Sequence, residues 1–164
     1  MTLTLTTLRF KETETYLMAA LFIAGNIVLP QLFHLIPQGG IIWLPIYFFT
    51  LIGAYMYGWR VGLLTALASP VINSLLFGMP PVAALPAIML KSTLLAVIAG
   101  LTAARFRHTS LLLLIAVVLS YQTISTIGEW VMKGDFMLAC QDFRMGIPGM
   151  LLQIAGGYLI LPKK

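Results

Sequence analysis

The chain has 164 residues, of which 60% are hydrophobic and 9% are charged, and its formal net charge is +5. Soluble domains are about 45–50% apolar and about 25% charged, so this composition excludes an ordinary soluble domain. The basic excess does not indicate a nucleic-acid-binding protein, because no basic face with interleaved aromatic residues accompanies it. We therefore predict an all-α membrane protein with no separate soluble domain.

Six apolar segments follow one another along the chain, and each approaches the length of about 20 residues that a bilayer crossing needs. We predict one integral-membrane domain over residues 1–164, with a tail at residues 1–15. The six predicted spans are at about 16–36, 41–57, 60–77, 82–103, 109–130 and 146–162. The first segment is interpreted as a retained span and not as a signal peptide, because it lacks an Ala-x-Ala-like cleavage site.

The Lys and Arg residues between the spans predict the orientation of the chain. With both termini in the cytoplasm, the basic residues on the cytoplasmic side are Arg9, Lys11, Arg60, Arg105, Arg107, Lys163 and Lys164. The outer connections then hold only Lys133 and Arg144. Cytoplasmic loops of membrane proteins carry an excess of Lys and Arg, so this bias favours the N-in, C-in arrangement.

Polar residues cluster in the outer halves of the predicted spans. Lys91, Gln122 and Gln153 each lie roughly 11–14 Å below the outer ends of spans 4, 5 and 6, at 1.5 Å per residue. Ser125 and Glu129 continue the Gln122 stripe at i+3 and i+7 of one helix. An outward-facing polar cavity explains this layer, and further candidates for its wall are Gln31, His34 and Asn73.

Lys91 is the most informative of these residues, because a cation near mid-membrane costs at least about 2.5–3.5 kcal/mol unless it is paired or hydrated. The alternatives are contact with a ligand, an ion pair with Glu129, or extension of the side chain to the outer surface. Glu129 lies about two turns above Gln122, so we expect it to be too high to be the permanent partner of Lys91. We therefore expect Lys91 to meet an anionic or strongly electronegative group of a ligand.

The other candidates have simpler alternatives. Gln122 and Gln153 would donate and accept hydrogen bonds at the depth of Lys91, but Asn, Gln and Ser in membrane helices often just bond a neighbouring helix. Trp43 or Trp130 would cover an apolar part of the ligand, although both also fit the aromatic belts at membrane surfaces. Ala20-x-x-x-Ala24 and Ser92-x-x-x-Ala96-x-x-x-Gly100 permit close helix approach, the first to a partner protein and the second inside the monomer.

The stretch from Leu44 to Leu101 resembles the S components, or substrate-binding membrane subunits, of energy-coupling-factor (ECF) transporters. The resemblance is carried by Leu44-Pro45, Tyr57-Gly58-Trp59-Arg60-Val61-Gly62, Ser69-Pro70, Gly78-Met79-Pro80-Pro81 and the helix that ends at Gly100. Ala20-x-x-x-Ala24 resembles the alanine motif with which such proteins contact their T subunit. Chain length, six spans and cytoplasmic termini agree with the same family.

The resemblance implies capture of a vitamin-like compound in an outward pocket of helices 4 to 6 and the loop after helix 1. Release to the inside would be driven by a T subunit and two ATPase subunits in the cytoplasmic (inner) membrane of a prokaryote. The chain would be neither an enzyme nor a cofactor carrier, and it has no phosphate-cradling Gly-x-x-x-x-Gly-Lys motif. A metal-ion cargo is not expected, because Thr2 stands where the nickel and cobalt branch has a histidine.

Two other classes of protein compete with this interpretation. A rod-shape-determining membrane scaffold has a similar size and a related helical fold, but it would not need Lys91 or a polar layer in spans 4 to 6. An intramembrane enzyme would need paired carboxylates, a Ser–His pair or a similar cluster at one membrane level, which the sequence does not indicate. The transport interpretation therefore accounts for more of the polar residues.

Overall fold

The computed structural model describes residues 5–163, so two residues named above, Thr2 and Lys164, lie outside the described residues. No strand occurs in this part of the chain, and the predicted all-α class is confirmed. The α-helices are α1 (Thr13–Phe33), α2 (Gly39–Trp43), α3 (Phe48–Tyr57), α4 (Trp59–Phe77), α5 (Leu85–Phe106), α6 (Leu111–Lys133), α7 (Phe136–Ala139), α8 (Gln141–Met145) and α9 (Ile147–Ile160). Short 3₁₀ turns cover Pro45–Tyr47 and Val82–Ala84.

Four helical segments within residues 5–163 are long and apolar enough to cross a bilayer, and they are Thr13–Phe33, Trp59–Phe77, Val82–Phe106 and Leu111–Lys133. The second and sixth predicted spans correspond to shorter helices, since α3 has 10 residues and α9 has 14. A crossing takes about 20 helical residues, so these two helices do not reach that length by themselves. A multi-pass membrane protein is thus supported, and the count of six spans stays a prediction.

The segment predicted as a single span at 41–57 is divided in two. Leu44 has a φ of 48°, in the left-handed region, and it separates α2 from the 3₁₀ turn that leads into α3. Proline has no N–H to donate and disfavours a helical conformation at the residue before it. Leu44-Pro45 therefore ends one helix and begins the next.

The short helix α3 lies at the centre of the bundle. Eight of its ten residues are buried, and it packs against α1, α4, α5 and α9. Beside it, α4 and α5 approach closely, because a Cβ atom on Gly100 would lie only 2.3 Å from the backbone nitrogen of Trp59. Ser92, Ala96 and Gly100 are all buried, which confirms that this row of small residues packs inside the monomer.

Candidate binding site

A cavity of about 500 Å³ lies at the end of the bundle where α1, α4 and α6 end and α5 begins. Its wall combines apolar side chains from two proline-containing connections with a group of charged side chains on the α5–α6 side. The lining residues are Pro30, His34, residues 36–41, residues 44–47, Asn73, residues 79–81, Ala84, Ala87, Ile88, Lys91, Glu129, Lys133, Gln141 and Asp142.

Four of these residues form an ion cluster, which we define as Lys91, Glu129, Lys133 and Asp142. The Lys91 ammonium nitrogen lies 2.6 Å from Glu129 Oε1 and 2.6 Å from Asp142 Oδ2. Glu129 Oε2 also accepts a hydrogen bond from Lys133 Nζ at 3.0 Å. The side chains of Lys91 and Glu129 are each only 4% exposed, so this pair is shielded from solvent.

The expectation that Glu129 is too high to pair with Lys91 is therefore wrong. The predicted depths are those of the Cα atoms, whereas the four methylene groups of a lysine place its charge several ångströms away from its Cα atom along the helix. Lys91 extends its ammonium group toward the end of the bundle, where Glu129 and Asp142 meet it. The cluster contains two cations and two carboxylates, so Lys91 needs no ligand to balance its charge.

The predicted glutamine layer lies inside the bundle and does not line the cavity. Gln122 and Gln153 are fully buried, and Gln153 Oε1 accepts a hydrogen bond from the Tyr121 hydroxyl at 2.9 Å. Ser125 also points inward, since its hydroxyl donates to the backbone oxygen of Gln122 at 3.1 Å. Neither amide atom of the Gln122 side chain has a hydrogen-bond partner within residues 5–163. Gln122 thus combines a free donor with a free acceptor, about two turns below Glu129 in α6.

The three candidates from the first and third predicted spans meet at the opposite wall. Asn73 and His34 both line the cavity, and Gln31 donates through Nε2 to Asn73 Oδ1 at 3.3 Å. The Asn73 amide nitrogen donates to the backbone oxygens of Asn26 (2.9 Å) and Ser69 (3.0 Å). These bonds fix the Asn73 side chain between α1 and α4.

The aromatic residue in the cavity wall is Tyr47, and neither predicted tryptophan lines it. Trp43 packs against Phe33, with ring centroids 5.5 Å apart. Trp130 lies on the outer face of α6, where it is 48% exposed and meets Phe136 edge to face. The placement of both tryptophans corresponds to the interfacial alternative more closely than to a ligand-covering role.

Sequence reasoning missed Asp142, Lys133 and Gln141 as lining residues. All three belong to the charged connection predicted after the fifth span, and that connection was assigned to the outer surface. The signal that pointed to Asp142 was Lys91 itself, because a buried cation requires a counter-ion.

The predicted docking pair lies on a separate surface. Ala20 and Ala24 are exposed on α1, whereas Ala19, next to Ala20 in sequence, is 2% exposed and packs in the core. The same exposed stripe carries Leu17, Leu21 and Val28. This face of α1 is apolar and contains two small side chains at a spacing of one helical turn, and neither of the two lines the cavity.

Comparison with known proteins identifies the family. Residues 15–160 match the family described as the substrate-specific component of ECF transporters, which covers nearly the whole chain. No curated protein and no solved structure matches the chain. The resemblance noted for Leu44 to Leu101 is thereby confirmed and extended to most of the sequence. The chain belongs to the family of ECF transporter substrate-specific components, the S components.

Proposed function

We propose that this S component captures a small organic micronutrient, a vitamin or vitamin-like compound, in the cavity beside the ion cluster. The observation that carries this proposal is the cavity itself. Its volume of about 500 Å³ falls within the range of about 300–1,000 Å³ that is usual for small-molecule sites. The family match favours this function over the membrane-scaffold alternative.

The lining supports an amphipathic cargo. Apolar surface comes from residues such as Pro45, Ile46, Ala84 and Ile88, and the charged groups are confined to the ion cluster at one side. Ligand pockets of this kind bury an apolar body and orient it with a few polar groups. Asn73 and His34 would contact a polar group at the far wall, and Tyr47 would lie along an apolar ring.

The proposed transport cycle needs partners. A T subunit would bind the exposed Ala20 and Ala24 face of α1, and two ATPase subunits would supply the energy for inward delivery. Small side chains allow two helices to approach closely, which favours van der Waals contact within a bilayer. The apolar stripe around the two alanines is compatible with such a helix.

The cavity assignment is tested by filling the cavity away from the ion cluster. Ala84 lines the cavity, whereas Ala83 belongs to the same 3₁₀ turn but is exposed and does not line it. Ala84→Trp should abolish capture of the natural cargo because the indole takes its space, and Ala83→Trp should capture as the wild type does. Mass spectrometry of small molecules co-purifying with the detergent-solubilised proteins measures this. Equal cargo in both variants would place the binding site elsewhere.

A further inference from the structure

Asp142 lies on a different kind of structural element from the other three residues of the ion cluster. Lys91, Glu129 and Lys133 belong to the long helices α5 and α6. Asp142 lies on the five-residue helix α8, in the connection between α6 and α9, and reaches Lys91 from the rim of the cavity. Its carboxylate is therefore the member of the cluster that moves if the connection moves.

A glycine stands at each end of this connection, and part of its surface is exposed. It starts at Gly134, whose φ of 69° is in the left-handed region that favours glycine, and it ends at Gly146. Residues 136–138 in α7 are each more than half exposed. Among the described residues, the Asp142–Lys91 contact is the ion pair that ties this connection to α5 or α6.

The charges of the ion cluster indicate which chemical group would replace Asp142 beside Lys91. Glu129 is held by two lysines, whereas Asp142 is held by Lys91 alone among the ion pairs of the described chain. When Asp142 leaves, Lys91, Glu129 and Lys133 together carry one net positive charge at the cavity wall. A carboxylate entering the cavity restores both the charge balance and the hydrogen bond that Lys91 donates to Asp142.

We infer that Asp142 is an internal counter-ion that a carboxylate on the cargo displaces from Lys91, so that cargo binding releases the α7–α8 connection. The inference rests on the proposed function and names its substrate class: a molecule with an apolar body and one carboxylate group. The protein thus selects for an acid that competes successfully with its own aspartate.

Cys140 reports on this release, because it is the chain's single cysteine, lies two residues before Asp142, and is partly buried. Asp142→Asn should raise the rate at which a maleimide labels Cys140 at least threefold in the absence of any ligand. Arg144→Gln is the matched control, since it removes a charge from an exposed position of the same helix. Its labelling rate should equal that of the wild type.

The displacement step is tested with phenylvalerate, which has an apolar ring and chain and one carboxylate, and with its neutral amide. Phenylvalerate should accelerate Cys140 labelling in the wild type, and the amide should not. Calorimetric titration should show that Asp142→Asn binds phenylvalerate at least tenfold more tightly than the wild type, because the competing carboxylate is gone.

Three results would overturn the inference. If Cys140 is labelled as slowly in Asp142→Asn as in Arg144→Gln, the Asp142–Lys91 pair does not hold the connection. Equal or weaker phenylvalerate binding by Asp142→Asn would show that no competition exists, and a response to phenylpentylamine instead would assign the cargo an amine. Failure of the proposed function is separate: natural cargo retained by Ala84→Trp would remove the cavity assignment, whereas the ligand-free labelling rates of Asp142→Asn and Arg144→Gln do not depend on the cavity.

Discussion

At the scale of single residues, Asn26 links three helices where the backbone of one is interrupted. Its side-chain oxygen accepts from the backbone N–H of Phe49, at the start of α3, at 3.2 Å. Its amide nitrogen donates to the Thr50 hydroxyl at 2.9 Å and faces the Ser69 hydroxyl at 3.4 Å. The first N–H groups of any helix lack partners within that helix, so Asn26 satisfies a group that the break at Pro45 exposes.

Asn26→Leu should lower the free energy of unfolding by about 1–3 kcal/mol, because it leaves the partly buried Phe49 N–H without an acceptor. Thr50→Val is the comparison, since it removes the hydroxyl to which Asn26 donates and leaves the hydrogen bond between Asn26 and the Phe49 N–H intact. Its cost should be near the average of about 0.6 kcal/mol for hydrogen bonds between membrane helices. Equilibrium unfolding in mixed detergent micelles measures both, and an equal loss in the two variants would contradict the role assigned to Asn26.

Lys91 shows how far single residues could be interpreted from the sequence. Its position in an apolar segment predicted a special environment, and the structure places it in the wall of the cavity. Its partners could not be predicted, because Asp142 is 51 positions away and the lysine side chain shifts the charge away from its Cα level. Gln122 and Gln153 were predicted to line the cavity and lie instead in the packed core. Helix periodicity does not distinguish a cavity wall from a packed core.

At the scale of elements, the length of the apolar segments predicted the long helices, whereas the short helices α2, α7 and α8 were not predicted. Helix α1 begins at Thr13 and not at residue 16, because the charged residues at its start are compatible with a helix although not with a membrane interior. The connection predicted at residues 131–145 contains α7 and α8. The N-cap residue of α7 is Asp135, whose carboxylate accepts from the backbone N–H groups of Met137 (2.8 Å) and Leu138 (3.2 Å).

The exposed face of α1 allows a test of the proposed docking surface. Replacing both Ala20 and Ala24 with Leu should abolish co-purification with the T subunit, because larger side chains keep the partner helix away. Cargo capture by the isolated protein should persist, since neither alanine lines the cavity. Ala19→Leu is the control for folding: this alanine is buried, so overpacking there should cost about 1–3 kcal/mol of stability. Loss of folding in the Ala20/Ala24 variant would show that the pair supports the monomer itself.

At the scale of the whole molecule, the cavity and the basic connections lie at opposite ends of the bundle. The cavity end contains the α4–α5 and α6–α9 connections. The other end contains the α3–α4 junction with Arg60 and the α5–α6 connection with Arg107. There the N-terminal segment is attached to the bundle, since the Leu8 N–H donates to the Tyr57 oxygen and Arg60 donates to the Leu8 oxygen. This separation supports the N-in, C-in proposal, in which the cavity faces outward.

Reporter fusions test that orientation directly. A fusion after Pro80, beside the cavity, should behave as an external protein, with alkaline phosphatase active and green fluorescent protein dark. A fusion after Arg107 should behave in the opposite way, because the cytoplasmic side retains clusters of Lys and Arg. The two positions are separated by α5, one of the helices long enough to cross a bilayer, so the two fusions should give opposite results. Reversal at both positions would turn the cavity toward the cytoplasm and exclude capture from outside, whereas equal results at both would show that α5 does not span the membrane.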